Sequence, residues 1–328
     1  MIFSMFSFFI KILKKPIFRI FISLSVLCIL FSILHPSRLW QTIKQVPAVL
    51  WIFAVVSTVA IHFVGVIKWS LLINTTHNKL SLFSAFRCYF AGLFANLFLP
   101  SMTGGDIVRA GLAIKLNKEK EAVILGSIMD RIIDAGALAL IVFCGILMLP
   151  KIASMGVYKI LLSILILLLS FGLFCVILYI VPIPDKIPKF IAESIHRFRC
   201  VIVKFIKSPW RVLVALCAAI IIQVWFVILF SILGKKIGIQ LSLPVWFIIW
   251  PTAKLSAMLP ISLGGLGVRE AALVILLGQF QVADASSMSL GLLWEALFWS
   301  VAAFGGFFYF ISMKNLIWSN LNVAKEYS

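Results

Sequence analysis

The chain has 328 residues, 63% of them apolar or aromatic and 12% charged, with a mean hydropathy of +1.15 and a formal net charge of +18. Soluble domains run at about 45–50% apolar and roughly 25% charged, so the composition excludes a soluble enzyme, a disulfide scaffold, a disordered tail and a nucleic-acid binder. Lipid is the solvent this sequence suits, and its positive surplus suits the cytoplasmic loops of a polytopic membrane protein.

A bilayer is crossed by about 20 apolar residues at 1.5 Å of rise each. Residues 17–34 form the first such run, preceded by Lys11, Lys14 and Lys15. This start resembles a signal peptide, but no small-x-small cleavage site follows, so an uncleaved first helix is expected. A second crossing covers 48–73. Residues 82–116 begin apolar, break at Pro100 and Gly104-Gly105, and continue as a charged helix. Crossings at 122–148 and 157–181 follow, then a basic loop from Pro182 to Pro209 and a crossing at 210–234. A second interrupted stretch, 244–279, breaks at Pro260 and Gly264-Gly265, and the last crossing is 285–311. Irregular backbone at membrane depth survives only where protein or a wet cavity satisfies its N–H and C=O groups. Both interrupted stretches are therefore expected to be re-entrant. The expected fold is an all-α polytopic membrane protein with six full transmembrane helices plus two re-entrant helical hairpins, in one membrane domain over 1–328. Eight full spans is the alternative.

With the N-terminus in the cytoplasm, twenty Lys and Arg fall on the inner side and eight on the outer. Lys68 and Arg109 are counted inside, Lys254 and Arg269 outside. The bias places both termini in the cytoplasm and the protein in a cytoplasmic membrane. The loop from Pro182 to Pro209 reads either as a contact with anionic headgroups or as a topogenic signal alone. Most of the ten Trp fall near segment ends, as an interfacial belt would place them. The six Cys are widely separated and read as small hydrophobes; no disulfide, metal or cofactor is expected.

An internal repeat runs at an offset of 160 residues. Leu99 to Arg109 (LPSMTGGDIVR) aligns without gaps on Leu259 to Arg269 (LPISLGGLGVR), sharing L-P-x-x-x-G-G-x-x-V-R. Both copies sit at the breaks of the interrupted stretches. Three full crossings separate them, so the two hairpins enter from opposite faces, and repeats of about 17–148 and 157–311 are inverted. Such repeats build secondary transporters whose substrate site lies between broken helices.

At each break a half-helix is expected to present free N–H groups, and Arg109 and Arg269 add a forked donor one turn along; together these suit phosphate. Gly104, Gly105, Asp106 and Arg109 form the first candidate cradle, and Gly264, Gly265, Gly267 and Arg269 the second. The alternative is a simple chain turn with both arginines reaching to headgroups. Asp130, Arg131 and Asp134 lie within the apolar layer, where each charge costs roughly 2.5–3.5 kcal/mol and needs a partner. Arg131 and Asp134, spaced i,i+3, are expected to pair, leaving Asp130 for a hairpin arginine such as Arg109 or for a proton. Glu295 and Glu270 are candidate partners of Arg269 or Lys254, and Glu270 reads equally as a solvated rim charge. Asn96 and Ser101 are candidate neutral donors of the first hairpin. His62 reads as packed or hydrogen-bonded rather than as a proton relay.

Asn96 to Ala110 (NLFLPSMTGGDIVRA), Leu259 to Ala272 (LPISLGGLGVREAA) and Ser127 to Arg131 (SIMDR) together resemble the lysylphosphatidylglycerol synthase transmembrane-region family over nearly the whole chain. The resemblance implies a flippase-like membrane unit. In the best-known members that unit moves aminoacylated phosphatidylglycerol and is fused to a cytosolic domain that makes it; no such domain is recognisable in these 328 residues. Relatives commonly carry an Arg near the position of Trp294 and Glu295, where this chain has an acid. The reading is a lipid translocase, not an enzyme, for an anionic phospholipid or a polyprenyl-phosphate-linked lipid. Membrane lipids are its expected partners, with lipid-synthesising or glycosyltransferase enzymes alongside and no nucleic acid. Two alternatives stay open: a membrane-embedded transferase with Asp106 or Asp130 as base, and a small-anion or proton-coupled secondary transporter.

Overall fold

A computed structural model describes residues 44–74, 79–97, 104–116, 120–149, 199, 202–203, 207–257 and 267–326, with side chains as far as Phe308. Eight helices account for the described chain, and there is no strand among the described residues: α1 Ala48–Ile73, α2 Leu82–Ala95, α3 Gly104–Leu116, α4 Lys120–Met148, α5 Pro209–Lys236, α6 Leu243–Ala257, α7 Val268–Gly278 and α8 Asp284–Glu326. The expected crossings 17–34 and 157–181 and nearly all of the basic loop lie outside the described residues.

Among the described residues four helices are long and apolar enough to cross a membrane: α1, α4, α5 and the first 25 residues of α8. Their surfaces fit that role. On α1 the exposed stripe is Val49, Ile52, Phe53, Val56, Phe63 and Ile67, whereas Thr58, His62, Lys68 and Trp69 are buried. A soluble helix turns its apolar stripe inward. Here the polar groups point in, because lipid cannot satisfy them.

The limbs of the two interrupted stretches are short. Helices α2, α3, α6 and α7 have 14, 13, 15 and 11 residues; at 1.5 Å per residue each falls well short of the ~30 Å hydrocarbon layer. Their ends are set locally. Ser81 Oγ accepts the Ser84 N–H at 3.2 Å to cap α2. Asn74 ties the end of α1 to the start of α2 through two bonds with the Leu80 backbone, 2.9 and 2.8 Å, and its carbonyl accepts from Arg211 of α5 at 2.7 Å. Pro251, inside α6, lacks the N–H that would have bonded the Phe247 carbonyl. Gly267, at φ +83°, makes the turn into α7 that a side chain would strain.

The order long helix, short pair, long helix occurs twice. In tertiary packing the two sets are reciprocal: α4 lies against α6, α8 lies against α2, and α1 meets α5. Both crossings are closed by a glycine, and the two glycines are 160 positions apart. A methyl group at Gly145 would come within 2.9 Å of Ile248 Cγ1, and one at Gly305 within 3.0 Å of the Phe90 carbonyl oxygen.

Within the first short pair, α2 and α3 touch backbone to backbone. A methyl at Gly105 would overlap the Gly92 carbonyl and the Asn96 side chain, whereas one at Gly111 would meet nothing. Gly105→Ala is therefore expected to destabilise by about 2 kcal/mol or more through overpacking. Gly111→Ala is expected to be neutral or slightly stabilising, since Ala is the better helix former. Thermal unfolding of both variants in detergent checks this; equal midpoints would contradict the contact.

The tryptophans correct the belt reading. Trp69, Trp246 and Trp250 are at most 2% exposed and Trp294 is 6% exposed. Trp246, Trp250 and Trp294 pack round Phe230, with the Trp250 and Trp294 rings 4.2 Å apart. Trp210 and Trp299 are more than half exposed. Position near a segment end does not distinguish an interfacial ring from one facing another helix.

Candidate functional site

Among the described residues, the short pairs and the long helices line a cavity of about 300 Å³. Its wall takes residues from both halves: Asn96, Gly105, Asp106, Arg109, Asp130, Arg131 and Asp134 from the first, and Arg269 and Glu295 from the second. Thus Arg109 and Arg269, which the repeat sets 160 positions apart, face the same space. Gly104 is buried at the start of α3, Glu270 is 0% exposed behind Arg269, and Gly267 caps α7. Ser101, Gly264 and Gly265 lie outside the described residues.

The first charge cluster joins α1, α3 and α4. Arg109 donates to Asp130 Oδ2 at 2.6 Å and lies 3.1 Å from Asp106 Oδ1. Lys68 lies 3.0 Å from Asp130 Oδ1 and also donates to Asp134. Arg131 reaches Asp106. The Arg109 guanidinium sits 5.1 Å from the ring centres of both Trp69 and Tyr89, a cation–π seat that holds its plane. The expected pairing of Arg131 with Asp134 on one helix is replaced by two contacts between helices: Asp134 goes to Lys68 and Arg131 to Asp106. Packing of α1 and α3 onto α4 brings those partners closer than a neighbour three residues along, and the opposing helices gain an electrostatic clamp.

The second cluster is simpler. Arg269 donates to Glu270 Oε1 from both Nη2 and Nε, at 2.5 and 3.1 Å, and from Nη2 to Glu295 Oε2 at 2.8 Å. Each half therefore uses the same device: an arginine of the second short helix bonds one acid of its own helix and one acid of the following long helix. Glu270 is no rim charge. Burial of Arg269 beside it demands a counter-charge, and packing encloses both.

The half-helix N-termini are not fully open. Asn96 Oδ1 accepts the Gly105 N–H at 2.7 Å, and Glu270 Oε2 accepts the Gly267 N–H at 2.7 Å. Both first-turn amides are capped by the protein's own side chains. Asn96→Ala is expected to cost about 1 kcal/mol as a lost cap, read as a lowered unfolding midpoint in detergent; no change would mean the cap is idle.

Sequence reasoning counted two interior lysines as loop cations and offered Lys254 as a partner of Glu270 or Glu295, whereas both acids bond Arg269 and Lys254 donates to Gln223. Lys68 is 3% exposed and ion-paired inside the bundle, and Lys254 lines the cavity. Neither is a loop cation, and Arg109 and Arg269 leave the loop count with them, one pair from each side, so the sign of the bias is unchanged. Their positions gave one signal: a lysine within the membrane-depth part of an apolar helix must have an interior partner or reach an interface. Gln223 and Thr58, both 2% exposed, also line the cavity and carried no motif. His62 is hydrogen-bonded, Nδ1 to the Tyr89 hydroxyl at 3.3 Å, as its packed reading expected.

Among the described residues no group of His, Cys, Asp and Glu has the arrangement to hold a metal ion. The chemistry on the wall is instead charge and hydrogen bonding around an aromatic floor of Phe226, Trp250 and Trp294. No curated protein and no solved structure matches the chain. A family model described as the lysylphosphatidylglycerol synthase TM region matches residues 17–305. With its apolar helices and interior polar cavity, the chain is a membrane protein and belongs to the lysylphosphatidylglycerol synthase TM region family.

Proposed function

We propose that the protein is a lipid translocase, not an enzyme, that moves an anionic phospholipid or a polyprenyl-phosphate-linked lipid between the leaflets of the cytoplasmic membrane. The observation that carries this is the shared cavity: both halves supply its wall, and it lies between two pairs of helices too short to span. A space of about 300 Å³ suits a headgroup and not two acyl chains, which stay in lipid. The short pairs act as re-entrant hairpins within a single membrane domain of six crossings, with the inverted repeats covering about 17–148 and 157–311. The recurring helix order and the reciprocal packing of α4 on α6 and α8 on α2 support that reading. Alternating access then follows from rocking one repeat against the other about the fixed site. Both termini face the cytoplasm, where lipid-synthesising or glycosyltransferase enzymes deliver the substrate.

Proteoliposomes containing acyl-labelled fluorescent phosphatidylglycerol test the proposal through the rate at which outer-leaflet quenching reaches the inner pool. Wild type is expected to exceed protein-free vesicles by tenfold or more, about 1.4 kcal/mol in barrier. Leu97→Trp, which adds bulk to the cavity wall, is expected to return the rate to background. Wild-type movement at the protein-free rate, across a panel of phosphatidylglycerol, phosphatidic acid and polyprenyl-phosphate lipids, sinks the reading.

A further inference from the structure

Five cations line the cavity: Lys68, Arg109, Arg131, Lys254 and Arg269. Four of them are held by carboxylates. Lys254 is not. Its ammonium donates to Gln223 Oε1 at 2.9 Å and lies 5.0 Å from the centre of the Phe226 ring, and among the described residues no carboxylate is within ion-pair distance. An ammonium has three N–H donors, so two remain for a ligand.

Outside the two ion-pair clusters, three more wall residues carry a buried polar atom with no hydrogen-bond partner among the described residues: Thr58 Oγ1, His62 Nε2 and Trp250 Nε1. Thr58 and His62 are 2% and 7% exposed. They stand one turn apart on α1, as Trp250 and Lys254 do on α6, so each pair presents one helix face. The His62 ring centre is 6.0 Å from that of Phe226, which Lys254 also contacts, so both groups gather round one ring. When the Tyr89 hydroxyl donates to Nδ1, the neutral imidazole carries its proton on Nε2. The wall then offers the ammonium, an imidazole N–H, an indole N–H and a hydroxyl, all able to donate. Buried donors without acceptors are rare in folded proteins, and a set carried by residues that line one cavity calls for an acceptor-rich ligand. The acids of the wall are all engaged with cations and offer no seat to an ammonium headgroup.

We propose that Lys254, with Thr58, His62 and Trp250, forms the seat for a phosphate group on the substrate, while Arg109 and Arg269 hold the hairpins to the long helices. The proposal rests on the lipid-translocase reading for its choice of ligand. It assigns the negative charge of the substrate to α6 and α1 rather than to the glycine breaks. Removal of Lys254 leaves no carboxylate without its counter-ion, so the variant is expected to fold.

The test is tryptophan fluorescence of the full chain in dodecyl maltoside, with Trp250 and Trp294 as reporters in the wall. Dihexanoyl phosphatidylglycerol, dihexanoyl phosphatidylcholine and inorganic phosphate are the probes. Wild type is expected to saturate with phosphatidylglycerol and to bind phosphatidylcholine about tenfold more weakly. Lys254→Met is expected to raise Kd for phosphatidylglycerol about tenfold or more, Lys254→Arg to stay within about threefold, and the Thr58→Val plus His62→Gln pair to raise it about fivefold. Unchanged Kd in Lys254→Met overturns the proposal. Should that variant fail to elute as a folded species, unchanged Kd in the Thr58→Val plus His62→Gln pair overturns it instead. Saturation by inorganic phosphate alone keeps the anion seat and overturns the lipid as its source. The same variants in the quenching assay separate the two readings. Lipid movement that persists at the wild-type rate in Lys254→Met removes the seat and leaves translocation standing. Lys254-dependent binding without movement in wild type removes translocation and leaves the seat.

Discussion

Arg269→Met is expected to abolish the folded protein. The guanidinium is the only cation bonded to Glu270 and Glu295 among the described residues, and the Glu270 side chain is 0% exposed. Substitution leaves two carboxylates without a counter-charge at membrane depth, and breaking a buried pair in this way costs about 3–5 kcal/mol. Total stabilities are about 5–15 kcal/mol, so one such loss reaches the scale of the whole. Glu270 Oε2 also caps Gly267, so the first turn of α7 loosens with it. Arg269→Met combined with Glu295→Gln is expected to recover part of the loss, because one uncompensated charge is removed. Size-exclusion profiles and thermal unfolding in detergent measure both variants. A monodisperse Arg269→Met protein with the wild-type midpoint would show that the cluster is not holding α7 to α8.

The second large effect is expected at Asp130, and the contrast with Asp134 is the informative part. Asp130 faces two cations, Lys68 at 3.0 Å and Arg109 at 2.6 Å, and its side chain is 3% exposed. Asp130→Asn keeps the shape but weakens a charge-assisted bond to each of two cations, leaving Lys68 with Asp134 and Arg109 with Asp106. The cost is about 3 kcal/mol or more, from two bonds of roughly 1.5–3 kcal/mol each. Asp134 contacts Lys68 alone, and its side chain is 19% exposed. Asp134→Asn leaves Lys68 with Asp130 and is expected to cost about 1–2 kcal/mol. Arg109→Met added to Asp130→Asn leaves Lys68 paired with Asp134 and Arg131 with Asp106, and is expected to recover stability above Asp130→Asn alone. Equal midpoints for Asp130→Asn and Asp134→Asn would sink this ranking, which follows from the number of cations each acid serves.

The apolar runs of α1, α4, α5 and the first part of α8 are legible because crossing a bilayer is a local demand on length and composition. The helix start at Gly104 and the turn into α7 at Gly267 are legible for the same reason, since Gly acts on its own backbone. The site was legible in part. Arg109, Asp130, Arg269 and Glu295 stand out as charges in apolar segments, and the 160-residue offset pairs the two arginines. The opposite error attended Lys68 and Lys254. A lysine near the end of an apolar helix has the same hydropathy signature whether it reaches to a headgroup or turns inward.

What the sequence by itself determined is which segments prefer lipid, where they are interrupted, and which interior charges require partners. Only the tertiary structure decided who those partners are. Lys68 meets Asp134 across 66 positions, Arg109 meets Asp130 across 21 and Arg269 meets Glu295 across 26. It also decided that both arginines face one cavity, with Lys254 the cation lacking an acid among the described residues. Hydropathy and helix breaking act over a few residues of chain, whereas Coulomb attraction acts through space, and the distances it depends on exist only after the helices have packed.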